Sequence, residues 1–140
     1  MTTLFQLHPR LQQDCITLGK FDLCQLLMMN DSQYPWFILV PELADITEIY
    51  QLSRTERLML TEESNYLAKN LATLFSADKM NIAAIGNLVP QLHLHHVVRY
   101  QSDRAWPAPV WGKFASIPYT DDQLTATITR VKAQLTSLND

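Results

Sequence analysis

The sequence predicts an α+β fold: an antiparallel sheet with a long central helix and a C-terminal helix on one side. Three observations carry this expectation. Apolar runs at 21–29 and 36–40 flank the polar Asn30-Asp31-Ser32 and read as the two strands of a hairpin. Ser53-Arg54-Thr55-Glu56 has capping-box spacing, and Leu60, Leu67, Leu71 and Leu74 then fall on one helical face. Leu124, Ile128, Val131, Leu135 and Leu138 form a second apolar stripe near the C-terminus.

The elements follow in order. His8-Pro9-Arg10-Leu11 suits a short N-terminal turn or helix. The hairpin comes next, its second strand ended by Pro41 and its loop about five residues long around 30–34. Residues 45–52 read as a short helix, with Asp45 and Glu48 as a capping box. The long helix runs from Ser53 to about Phe75, because the serine hydroxyl and Glu56 can cap the free amides of its first turn. Residues 79–85 read as a third strand ending at Gly86-Asn87, and 90–99 as a fourth. In Trp106-Pro107-Ala108-Pro109-Val110-Trp111-Gly112 the prolines forbid a regular helix. Two tryptophans there imply packing, either on the chain's own sheet or over a neighbouring site in a dimer. The last helix spans 120–138, with Thr120 and Gln123 able to form its capping box.

Composition bounds the function. A chain of 140 residues suits one domain, 1–140, with a full core. Its net charge of −3 and lack of a basic run argue against nucleic acid as a partner. The N-terminal stretch lacks the basic and apolar regions of a signal peptide, and no apolar run approaches the ~20 residues that span a bilayer. No membrane partner is therefore expected. Cys15 and Cys24 are too few for a disulfide framework and read as small buried hydrophobes in a reducing, cytoplasmic setting. Only Gly19, Gly86 and Gly112 occur, so no glycine-rich phosphate loop exists.

The chemistry concentrates in Pro90-Gln91-Leu92-His93-Leu94-His95-His96-Val97-Val98-Arg99, which holds three of the four histidines. On a strand, Gln91, His93, His95, Val97 and Arg99 share one face, and Leu92, Leu94, His96, Val98 and Tyr100 the other. An amide, two imidazoles and a guanidinium in one row suit a phosphate. Such a row also arises as ordinary surface or structural histidines. A zinc site needs a third protein ligand, and Cys15, Cys24, His8 and the carboxylates stand at no recognisable ligand spacing, so no metal and no cofactor are expected. His96, on the leucine face, reads as a packed core or interface residue. Arg99 reads as half of a salt bridge rather than a contact to a distal phosphate.

Gln91-Leu92-His93-Leu94-His95-His96-Val97 resembles the signature of the histidine triad (HIT) hydrolases and transferases, in which histidines alternate with apolar residues. The resemblance extends over about 20–112. It includes Asn30-Asp31, the aromatic-aliphatic strand ending in Val40-Pro41, the long helix, and Asn87 ahead of the signature. The Trp106 to Gly112 segment is similar to a bacterial branch described as diadenosine tetraphosphate hydrolase-like. Three positions depart from the pattern. Gln91 replaces the first triad histidine, His96 stands at the apolar position after the third, and Trp36 stands about where many members carry a further histidine.

The resemblance implies a sheet of about five strands and a homodimer. It also implies hydrolysis or transfer at the α-phosphate of a dinucleoside polyphosphate or related nucleotide. His93 would be the nucleophile, forming a nucleotidyl-histidine. His95 and Gln91 would hold the non-bridging oxygens, Asn87 would add a donor, and Asn30 and Asp31 would meet the ribose. Gln91 can donate a hydrogen bond but cannot exchange a proton near neutral pH. The alternative is a nucleotide-binding module with little or no turnover.

Overall fold

A computed structural model describes residues 4–140. The first three residues, part of the N-terminal stretch read above for a signal peptide, lie outside the described residues. The chain forms α1 (Pro9–Asp14), β1 (Cys15–Lys20), β2 (Cys24–Met29), β3 (Trp36–Pro41), a 3-10 turn (Ile49–Gln51), α2 (Arg54–Phe75), β4 (Lys79–Ala83), β5 (Leu94–Arg99) and α3 (Asp121–Gln134). The five strands make one antiparallel sheet in the order β1-β2-β3-β5-β4.

Two of the three expected capping boxes form. Ser53 Oγ accepts from Glu56 N while Glu56 accepts from Ser53 N, and Thr120 and Gln123 do the same for α3. Such a cap contributes about 1 kcal/mol, whereas each buried leucine contributes about 1.5–3 kcal/mol. Packing therefore outweighs capping in holding α2. Leu60, Leu67 and Leu71 of α2, with Val131 and Leu135 at the end of α3, lie against Leu26, Met28, Phe37, Leu39 and Val98 of the sheet. Glu63 ties α2 to the start of β2 by accepting from Leu23 N at 2.9 Å and Cys24 N at 3.0 Å.

The opposite face of the sheet is covered too, although the helices were expected on one side. Leu27, Trp36, Ile38, Val40 and Val97 pack there beneath Leu11 of α1, Ala105, and Val110 and Trp111 of the proline-rich segment. That segment lies on the chain's own sheet. β3 is thus buried along its whole length on both faces, which explains its unbroken apolar run.

Four expectations on the elements need correction. β1 went unread because it is short, half-buried and bulged between Thr17 and Gly19. Gly19 is required there: a Cβ would collide with the Asn139 carbonyl, which accepts from Lys20 N at 2.7 Å. The short helix at 45–52 is only the 3-10 turn, boxed by Glu48 and Gln51, since Asp45 sits at φ 61° and breaks the helical path. The histidine strand begins at Leu94 rather than Pro90. Proline has no donor for a ladder, and Leu92 N turns away to Ile46 O at 2.9 Å. Finally, α3 stops at Gln134, so Leu138 packs from beyond the helix.

Candidate active site

His93 lies just before β5, 5% exposed, with Nδ1 2.7 Å from the Gln91 carbonyl oxygen. A carbonyl only accepts, so Nδ1 carries the hydrogen and the Nε2 lone pair is left bare. Burial pushes the imidazole below its ordinary value, the Gln91 carbonyl opposes this, and the nearby His8 adds to the fall. The ring is consequently neutral at pH 7, the form a nitrogen nucleophile needs.

His95 stands beside it on β5, with ring centroids 4.8 Å apart. Trp36 opposes Val97 across the β3–β5 ladder, which carries its indole diagonally to His95. Trp36 Nε1 donates to His95 Nδ1 at 3.0 Å. Indole nitrogen only donates, so His95 must carry its hydrogen on Nε2. Trp111 completes an aromatic box, 5.4 Å from the His95 ring and 6.0 Å from Trp36. Burial, followed by the charge of His93, pushes His95 down to about 3.

A cleft of about 340 Å³ opens in front of His93, lined by Gln91 and Asn87 together with Thr47, Glu48 and Gly86. Its size is within the range of small-ligand sites. Gln91 is already engaged: Oε1 accepts from His8 N at 2.9 Å, and Nε2 donates to Gln6 O at 2.8 Å. Its amide thus clips the N-terminal segment to the floor of the site. A second cleft of about 490 Å³, lined by Gln6, His8, Gln12 and Gln91, lies on the other side of that clip.

The remaining candidates sit elsewhere. Neither Asn30 nor Asp31 lines the His93 cleft. Asn30 Oδ1 accepts from Tyr119 N at 3.0 Å, and buried Asp31 accepts through Oδ1 from Gln33 N at 3.1 Å and from Gln33 Nε2 at 3.0 Å. The pair fastens residues 115–119 to the β2–β3 turn. His96 belongs to the helix-covered core, its Nδ1 3.1 Å from Leu94 O and its Nε2 2.7 Å from Ser64 Oγ of α2. Burial lowers it to about 4. Arg99 is 1% exposed and paired with Asp103.

Burial raises both thiols, Cys15 to about 12, which leaves them unreactive. Among the described residues no three His, Cys, Asp or Glu side chains form a group that could hold a metal.

Sequence reasoning missed the polar partners. Trp36 was visible as a departure from a pattern, but its hydrogen bond to His95 depends on strand register. Ser64 looked like one more polar residue on a helix. Gln6 and His8 gave no signal, because they meet Gln91 across more than eighty positions of chain.

Comparison with known proteins bears on this geometry. The HIT domain family matches residues 10–102. A histidine triad protein from Marinobacter aquaeolei VT8 superposes with a TM-score of 0.95 at 49% identity, covering 97% of this chain and 99% of that one. A histidine triad (HIT) protein from Sinorhizobium meliloti 1021 gives 0.92 at 41% identity, over 96% and 100% of the two chains. A histidine triad protein from Bradyrhizobium japonicum gives 0.92 at 36%, over 94% and 98%. No curated protein matches the chain.

Proposed function

Because this chain belongs to the histidine triad (HIT) family, we propose that it is a nucleotide hydrolase or transferase acting through a nucleotidyl-histidine. The substrate is a dinucleoside polyphosphate such as diadenosine tetraphosphate, or a related nucleotide, attacked at the α-phosphate. The observation that carries this reading is His93: its Nδ1 is tied to the Gln91 carbonyl, and a bare Nε2 is left at a cleft. A covalent step divides one hard displacement into two easier ones. In this reading Asn87 and His95 bind phosphoryl oxygens, His95 by turning its Nε2 hydrogen from the Ile85 backbone to the substrate, and each bond that strengthens as charge develops lowers the barrier by a few kcal/mol. Gln91 contributes the amide N–H left over from its clip. Asn30 and Asp31, expected at the ribose, instead hold residues 115–119 to the β2–β3 turn outside the His93 cleft, so this reading assigns them no contact to substrate.

The protein works as a cytoplasmic homodimer in this reading. The β4 edge supports pairing, since among the described residues no strand lies on its outer side and it exposes Ile82, whereas the β1 edge is bridged by Asn139. Two free cysteines support a reducing compartment. Among the described residues no helix is long and apolar enough to cross a membrane.

A second reading, a nucleotide-binding module with little turnover, is favoured by Gln91, whose amide is engaged and passes no proton. Incubation with diadenosine tetraphosphate separates the two. Monophosphate release that disappears in His93→Ala supports the enzyme. Equal release by both proteins rejects His93 as nucleophile, and calorimetric binding without product supports the module.

A further inference from the structure

The groups around His93 bear on which atom can depart from phosphorus. We propose that this site is selective for phosphoanhydride substrates, P–O–P, over phosphoramidates, P–N, because Trp36 holds His95 in one tautomer and no group at the cleft can pass a proton to the leaving atom. The inference rests on the nucleotidyl-histidine reading and deepens it by naming the class of bond broken.

The argument begins with His95. To protonate a leaving group from Nε2 and remain neutral, its ring must take up a proton at Nδ1. That nitrogen faces the Trp36 indole N–H at 3.0 Å, so a second hydrogen has no room there. Trp36 and His95 are 7% and 4% exposed, and Trp111 closes the box, so water does not replace the indole. His95 is therefore a fixed hydrogen-bond donor rather than a proton carrier.

The neighbours do not make up the loss. Gln91 is an amide, and both ends of it are clipped to backbone. His93 spends its Nδ1 hydrogen on the Gln91 carbonyl and its Nε2 on phosphorus. Among the described residues Glu48 is the one further ionisable side chain lining the cleft; it is solvent-exposed, and a carboxylate is an acceptor only. His8, beyond the clip, accepts the Arg10 N–H at Nδ1.

The chemistry then divides by leaving group. The His93 Nε2 lone pair forms the N–P bond as the bridging P–O bond breaks. The electron pair stays on the departing phosphate oxygen, which leaves as an anion with no proton added. Water next attacks phosphorus, the N–P bond breaks back onto Nε2, and the water's proton passes to solvent. In a phosphoramidate the first step breaks P–N. Its nitrogen must gain a proton to leave as an amine, and nothing in the cleft supplies one.

General acid assistance is worth about 10²–10⁴-fold, so the anhydride should be favoured by about 100-fold or more in kcat/KM. The test compares diadenosine tetraphosphate with adenosine 5′-phosphoramidate for the wild type, His93→Ala, Trp36→Phe and Trp36→His. Trp36→His, which returns a proton-carrying ring to the position, should raise phosphoramidate cleavage about 10-fold relative to anhydride cleavage, a fraction of the full general-acid effect. Trp36→Phe keeps an aromatic ring but frees His95 Nδ1. Nitrogen-15 NMR of the wild type should show His95 with a hydrogen on Nε2 and none on Nδ1. That measurement needs no variant to fold.

His93-dependent cleavage of both substrates at similar rates overturns the selectivity and leaves the enzyme reading intact. No His93-dependent cleavage of either overturns both. A hydrogen on His95 Nδ1 overturns the tautomer lock whatever the activities.

Discussion

Arg99 and Asp103 form a two-point ion pair sealed from water, with Nε 2.8 Å from Oδ2 and Nη2 3.1 Å from Oδ1. Arg99 also donates from Nη1 to Asn81 Oδ1 at 2.7 Å and from Nη2 to the Ala108 carbonyl at 2.8 Å. Asp103 in turn accepts from the backbone N–H groups of Tyr100, Ala105 and Trp106. The pair joins the end of β5 to β4 and to the proline-rich segment that carries Trp111. A guanidinium taken fully out of water is tolerated because every donor direction it uses meets an acceptor.

Asp103→Ala should accordingly cost about 3–5 kcal/mol of stability, since it leaves a buried guanidinium without its counter-charge. Urea unfolding monitored by tryptophan fluorescence measures this. A loss below about 1 kcal/mol, the worth of a surface pair, would show that the interaction is not buried in solution.

Gln91→Ala should release the N-terminal segment without unfolding the sheet. Two hydrogen bonds are lost, at about 1 kcal/mol each. Hydrogen exchange at the His8 amide should quicken by about 10-fold or more, because that N–H loses its one acceptor. Gln91→Glu should behave similarly: its carboxylate can still accept from His8 N, but it meets the Gln6 carbonyl as acceptor against acceptor. Unchanged protection in both variants would sink the assignment of Gln91 as a clip.

Ser64→Ala should destabilise the protein by about 1–3 kcal/mol, the cost of leaving a buried acceptor unmatched. The acceptor is His96 Nε2, since Nδ1 donates to the Leu94 carbonyl. Catalysis should survive, because His96 faces the helix-covered core and not the cleft. Loss of turnover with unchanged thermal stability would contradict this placement.

Acid should destabilise the fold through His95 and His96, whose folded-state values fall to about 3 and about 4 through burial. The unfolded chain takes up protons at both positions from about pH 6.5 downward while the folded chain does not. Stability is therefore full above that value and falls as pH drops toward 4, by about 1.4 kcal/mol per pH unit for each imidazole. Urea midpoints at pH 7, 6 and 5 read the slope. His96→Gln, which keeps an acceptor for Ser64, should remove its own share of about 1.4 kcal/mol per pH unit, leaving the parts due to His95 and His93. A slope identical to wild type is the outcome that rejects the assignment.

Much of the fold was legible along the chain. The β2–β3 hairpin, α2 with its Ser53–Glu56 box and the Thr120–Gln123 cap of α3 rest on neighbours a few residues apart. Local spacing dictates such elements, so the order of residues specifies them. β1 was not legible, because its bulge at Thr17–Gly19 breaks the alternation and its glycine is explained only by the distant Asn139 carbonyl. The start of β5 was misplaced for a related reason. Gln91, Leu92 and His93 alternate like a strand, yet Leu92 bonds to Ile46 and Gln91 to the N-terminal segment.

For the site, the sequence by itself determined which residues are the candidates: His93 with His95 two positions on, Asn87 ahead of them, and an amide where a histidine was expected. It could do so because those residues are contiguous and their types speak for themselves. The tertiary structure decided what state they are in. Which nitrogen of His93 is bare, which nitrogen of His95 holds a proton, and what occupies Gln91 all depend on a single hydrogen-bond partner. Trp36 and the N-terminal segment reach those partners only once the sheet has set its register. A hydrogen bond is a matter of tenths of an ångström, and no spacing along a chain encodes that for residues fifty or eighty positions apart.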